Sequence, residues 1–193
     1  MRKLLCCVPM MILLLAGCGP AEGSEAEKLA LVVRGEYLEM TSGTAQLVVT
    51  ADYGRRVYQY EMTALWDEEE VQLALTAPET VAGVTARVTG GDSRLEYDGV
   101  SVETGSLDGE GLTPVSAFPA LLEAARSGYI LSCGMEEDGE LLRVDCGDPE
   151  EEPGAGTEAV LWFDPGTHAL VRGEILVDGF RAILCEFTGF TGN

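Results

Sequence analysis

Histidine is nearly missing: among 193 residues His168 is the only one. It follows the turn signal Asp164-Pro165-Gly166-Thr167, where an exposed hairpin tip is the expected setting, and no Gly-x-Ser-x-Gly nucleophile elbow stands in the chain. A Ser-His-Asp hydrolase has nothing to be built from. Positive charge is scarce as well, with 12 Lys and Arg against 33 Asp and Glu and a formal net charge of -21. Nucleic-acid binding rests on Lys and Arg clustered against phosphate, and beyond Arg2 and Lys3 there is no such cluster. The same charge disfavours lying flat on anionic lipid. Nor do the abundant carboxylates mark a site. Asp67 to Glu70 and Asp148 to Glu152 are runs in loop contexts, unlike the spaced Asp-x-Asp-x-Asp-Gly of a calcium loop, and neither sets one acid apart in a cleft as paired-acid glycoside hydrolysis requires. No enzyme activity, cofactor or metal is implied.

Also missing is an apolar run long enough to span a bilayer, which takes about 20 residues. The longest, Leu4 to Gly17, follows Arg2 and Lys3 and stops at small residues, the order of an export signal. Leu15-Ala16-Gly17-Cys18 resembles the bacterial lipobox, in which the cysteine receives a diacylglycerol thioether and the leader is cut before it. Two or three acyl chains anchor stably where one binds only marginally. The expected organisation is a signal peptide at 1–17, lipidated Cys18 with an acidic, glycine-containing tether at 18–27, and a single domain at 28–193 on the extracytoplasmic face of a membrane. In a cell with two membranes that face belongs to the outer membrane or the periplasm.

Past the leader and Cys18, only Cys133, Cys146 and Cys185 remain, all inside strand-like patterns. Cys133 and Cys146 flank the turn signal Glu136 to Glu140 and form the candidate disulfide. A four-residue loop sets them face to face. A two-residue Asp138-Gly139 turn instead pairs Cys133 with Val144 and leaves Cys146 diagonal, where bridging geometry is poor. Three buried reduced thiols are the alternative.

What the chain has in plenty is periodicity. From Glu25 to Met40, Leu29, Val32, Val33, Tyr37 and Met40 recur at helical spacing. From Thr44 the period changes to two: Ala45, Leu47, Val49 and Ala51, then Tyr58, Tyr60, Met62, Ala64 and Trp66, then Val71, Leu73 and Leu75. Shorter alternating strokes continue to Val102, punctuated by Gly90-Gly91-Asp92 and Asp98-Gly99. A second helix is expected over 113–127, with Thr113 as cap, Pro114 in the first turn and a stripe of Val115, Phe118, Leu121, Leu122 and Ala125. Strands then resume to Phe187, interrupted by the polar loop Gly147 to Thr157. The fold class is α+β: about ten antiparallel strands in a curved, open half-barrel, with an N-terminal helix and an inserted helix across the concave face. Leu47, Val49, Tyr58, Tyr60, Met62, Leu73 and Leu75 would then face Phe118 and Leu122. They line a hydrophobic cavity if the inserted helix lifts, and form ordinary core if it does not.

This order of elements resembles the LolA-like family of lipoprotein carriers. The local matches are Leu73 to Pro78, Leu95 to Val100, and the C-terminal hairpin Leu161 to Phe187 with its Asp164-Pro165-Gly166-Thr167 turn. Arg172 stands where the family block usually has Pro. Within the family the chain resembles the germination lipoproteins of spore-forming Clostridia, which bind a peptidoglycan amidase. The resemblance implies a binding protein without catalysis, in one of two roles. It docks an envelope protein such as a cell-wall enzyme, or it binds and transfers an acyl chain in the hollow.

Overall fold

The computed structural model describes residues 24–106, 110–152 and 154–193. The expected leader and Cys18 lie outside the described residues. Helix α1 spans Glu25–Glu39. Ser24 caps it: its hydroxyl accepts the Glu27 N–H at 3.1 Å while the Glu27 carboxylate accepts the Ser24 N–H at 2.8 Å, so two otherwise orphaned donors are satisfied together. Six strands follow: β1 Gly43–Asp52, β2 Val57–Trp66, β3 Glu70–Ala77, β4 Thr85–Thr89, β5 Asp92–Tyr97 and β6 Val100–Ser106. Helix α2, Pro114–Ser127, is capped by Thr113 and Ser116 in the same reciprocal way. Five more strands complete the chain: β7 Ile130–Glu136, β8 Leu141–Cys146, β9 Thr157–Phe163, β10 Leu170–Val177 and β11 Phe180–Gly192.

All eleven strands form one antiparallel sheet in the order β6-β5-β4-β3-β2-β1-β11-β10-β9-β8-β7. The first strand pairs with the last, Val49 opposite Cys185, and that join places β6 and β7, neighbours in sequence, at opposite edges. The segment linking them must cross the hollow, and α2 does so, lying over β1 and β9–β11. It seats closely because Gly173 of β10 has no side chain: a Cβ there would come within 2.6 Å of the Leu121 side chain. Phe118, Leu121 and Leu122 are fully or almost fully buried as a result.

The two helices are tied to each other by charge as well as by packing. Arg126 of α2 donates to the carbonyls of Tyr37 and Met40 at 3.2 and 2.9 Å, satisfying the C-terminal end of α1, and Arg34 of α1 donates to the Ala124 carbonyl of α2. Aromatic rings join the layers: Tyr37 meets Phe163 and Phe190, and Trp66 meets Phe118 and Phe190, with centroids 5.3–5.6 Å apart. On α1 one expected core position fails. Val32 is 52% exposed, because α1 buries Ala26, Ala30, Val33 and Tyr37, a stripe on which Val32 does not fall.

Gly173→Ala is expected to lower the melting temperature by roughly 5 °C through overpacking against Leu121 while leaving the secondary structure intact. Thermal unfolding followed by circular dichroism checks it.

Candidate binding surfaces

The hollow of the half-barrel is divided. Under the helices, Leu47, Val49, Met62, Leu73 and Leu75 from the sheet and Phe118 and Leu122 from α2 are all buried, so these seven side chains are packed core. Tyr58 and Tyr60 share their face but sit toward the start of β2, past the cover of α2: Tyr58 is exposed and Tyr60 half-buried, and their rings stack at 6.5 Å. Tyr53 extends this lip of tyrosines, its hydroxyl donating to the Leu112 carbonyl ahead of α2. Farther along the concave face, Tyr97 pairs with Val100 and Leu95 with Val102. Tyr97, Val100 and Val102, on β5 and the edge strand β6, are more than half exposed, away from the strands on which the helices chiefly pack.

The convex face holds a feature that strand periodicity alone does not reveal. Trp162 lies between two guanidinium groups, with Arg172 at 4.7 Å and Arg143 at 5.5 Å from its ring centroid. Its indole N–H donates to Glu136 at 2.8 Å, and Arg143 bridges Glu136 and Asp145. On the next row Glu174, nearly buried, accepts from Arg172 and Arg181. The register explains the grouping, because Arg143, Trp162 and Arg172 are cross-strand partners on β8, β9 and β10. The indole and Arg143 hydrogen bonds hold the Glu136 carboxyl below the usual carboxylate range. Beside this stack a groove of about 440 Å3 is lined by Val160 and Leu176, by the paired Arg143 and Asp145, and by the acidic side chains of Asp148, Glu151, Glu152 and Glu158.

Among the described residues Cys133, Cys146 and Cys185 are free thiols. Residues 137–140 join β7 to β8 in a register that pairs Cys133 with Val144 and Cys146 with Ile130, so the candidate disulfide pair is diagonal and unbridged. Burial pushes all three thiols up; for Cys146, beside Arg34, burial outweighs the opposing effect of the guanidinium. His168 is no free hairpin tip. Its Nδ1 lies 2.7 Å from Glu36 of α1, its carbonyl accepts the buried Tyr37 hydroxyl, and its backbone φ is +58°, so the turn after β9 is latched to the helix. The acidic run at Asp67 is a capped turn, its carboxylate accepting the Glu69 and Glu70 N–H groups and held below its ordinary pKa by them, while Glu70 pairs with Arg87. Among the described residues no three His, Cys, Asp or Glu side chains gather in a way that would hold a metal ion.

No family model and no curated protein matches the sequence. Solved structures do match it. The chain is similar to a DUF1329 family protein from Desulfovibrio piger, at 10% identity over 87% of this chain and 92% of that one, with a TM-score of 0.50. Also similar are a LolA superfamily protein from Nitrosomonas europaea, at 11% identity, 88% and 94% coverage and a TM-score of 0.45, and a chain of the complex between the CwlD amidase and the GerS lipoprotein from Clostridioides difficile, at 13% identity, 88% and 96% coverage and a TM-score of 0.46. At such identities the likeness concerns fold alone. The curved, open antiparallel sheet with an N-terminal and an inserted helix is the half-barrel architecture anticipated from the sequence.

Glu136→Gln is expected to destabilise the fold near neutral pH and to make no difference in acid. A carboxyl whose folded-state pKa is depressed contributes stability above its unfolded pKa and loses it as pH falls through the folded value. Melting temperatures of the two proteins between neutral pH and pH 3 are expected to converge as the solution is acidified.

Proposed function

We propose that the chain is an extracytoplasmic lipoprotein, anchored through Cys18, that acts without catalysis as a docking module for an envelope protein. The observation that carries this reading is the seating of α2. Phe118, Leu121 and Leu122 fill the covered part of the hollow, and Gly173 lets the helix press against the sheet. Function then falls to the exterior, which is strongly acidic and carries two sheet edges, β6 and β7, each with a row of unpaired backbone groups. The acid-edged groove above Val160 suits a lysine or arginine of a protein partner, whose methylene stem would cover the apolar floor while its charge met the rim. A cell-wall enzyme is the partner class that the family resemblance implies.

Acyl-chain binding and transfer is the second reading. Tyr58, Tyr97, Val100 and Val102 favour it, as exposed apolar side chains on the uncovered part of the concave face. Native mass spectrometry separates the two. The chain from residue 19 onward, purified without detergent from an exporting host, is expected to fly at its bare mass and to yield no lipid on organic extraction. A co-purifying phospholipid or acyl chain identified in the extract would establish the second reading instead.

A further inference from the structure

Helix α1 is apolar on two sides. Its inner stripe is Ala26, Ala30, Val33 and Tyr37, all buried. Its outer side carries Leu31 at 65% exposure, Val32 at 52% and Leu38 at 61%, and Leu31, Gly35 and Leu38 repeat the same i, i+4, i+7 spacing. A helix apolar on both sides is normally covered on both, yet nothing within the described chain covers this outer face.

Gly35 sharpens the point. A side chain at that position would meet no atom within 4 Å, and its backbone is ordinary helix, so the domain's own packing has no use for a glycine there. Glycine in a helix interior costs stability relative to alanine. What it provides is a flat strip of backbone between two leucines that can be pressed against a surface.

The tether decides which surface. Residues Cys18 to Glu25 extend to about 25 Å at most, and α1 itself is about 22 Å long. A lipid on Cys18 would therefore keep the whole helix within reach of the bilayer, at an effective concentration on the order of millimolar, enough to populate a contact too weak to form in free solution. The charges of α1 allow it. Glu27 is spent on the cap, Glu36 faces His168, Arg34 reaches inward to α2, and Lys28 lies one turn from Leu31 and Val32, leaving Glu25 and Glu39 toward the two ends. The acidic remainder of the domain repels anionic headgroups, which would orient the molecule with this face toward the lipid and the rest away.

We infer that the outer face of α1, formed by Leu31, Val32, Gly35 and Leu38, rests on the bilayer interface as a second, non-covalent membrane contact. This rests on the proposed anchoring through Cys18. The lipidated protein, from Cys18 onward, is reconstituted into phosphatidylcholine vesicles with and without chain-brominated phosphatidylcholine, a short-range quencher of tryptophan. The native tryptophans, Trp66 and Trp162, are buried and supply a constant background. Leu31→Trp and Leu38→Trp are expected to lose most of their added emission in brominated vesicles. Tyr97→Trp, on the half of the sheet remote from β7 and α1, is expected to lose none.

Flotation of the vesicles separates the two ways of failing. A protein that floats with unquenched Leu31→Trp and Leu38→Trp, or with Tyr97→Trp quenched equally, overturns the inference and leaves the anchor standing. Emission that is blue-shifted but unquenched likewise overturns it, in favour of a protein or a second copy covering the face. A protein that floats no better than its Cys18→Ser variant overturns the anchor and the inference together. All three tryptophan variants replace exposed side chains, and near-native melting temperatures confirm that each has folded.

Discussion

Pairing of the first strand with the last is the constraint on which the rest of the molecule depends. With β1 and β11 joined in the middle of the sheet, β6 and β7 become its edges, and a chain that must pass from one edge to the other has only the hollow to cross. That crossing is α2. Its amphipathic stripe supplies the interior that a one-sided sheet lacks, and the bare backbone of Gly173 and the rings of Trp66 and Phe187 receive it. Helix α1 then covers the β7–β8 end and is fastened to α2 through Arg126 and Arg34. The helices pack chiefly on β1 and β7–β11, and toward β4–β6 the same concave face changes from sealed core to exposed tyrosine and valine.

Outside the core, most of the few arginines are used to hold the acidic sheet together. Arg87 binds Glu70 and Glu96, Arg94 binds Glu96 and Glu103, Arg143 binds Glu136 and Asp145, and Arg172 and Arg181 share Glu174. Such part-exposed pairs contribute little one at a time. Around Trp162 they are more than pairs: ring, two guanidiniums and a carboxylate bonded to both indole and arginine form one network in which each member restricts the next. Because these cations are matched internally, the large acidic excess remains for whatever meets the surface.

Much of this was legible in the sequence, for identifiable reasons. Period-two patterning at Ala45 to Ala51 and at Val57 to Trp66 has one physical meaning when one face is buried, and Thr113-Pro114 before an apolar stripe is a helix start with few alternatives. The inserted helix and the open half-barrel follow from those signals. Register does not, because it is set by contacts between residues far apart in the chain. Hence the stacking of Arg143, Trp162 and Arg172, the diagonal placement of Cys133 and Cys146, and the latch between His168 and Glu36 emerge only in three dimensions. Helix α1 is apolar on both sides, so spacing alone does not choose the inner one, and Val32 falls on the outer. Period-two spacing gives Tyr58 a face but not its exposure, which depends on how far α2 extends over the sheet.

Helix α2 is a seated part of the core and not a lid. Hydrogen exchange of its backbone amides tests this most directly. If the helix is core, the amides around Leu121 and Leu122 exchange only through the opening that also releases β1 and β11, with the same free energy and the same denaturant dependence. Exchange of α2 far faster than β1 and β11, insensitive to denaturant, would show that the helix lifts by itself and that the hollow beneath it opens.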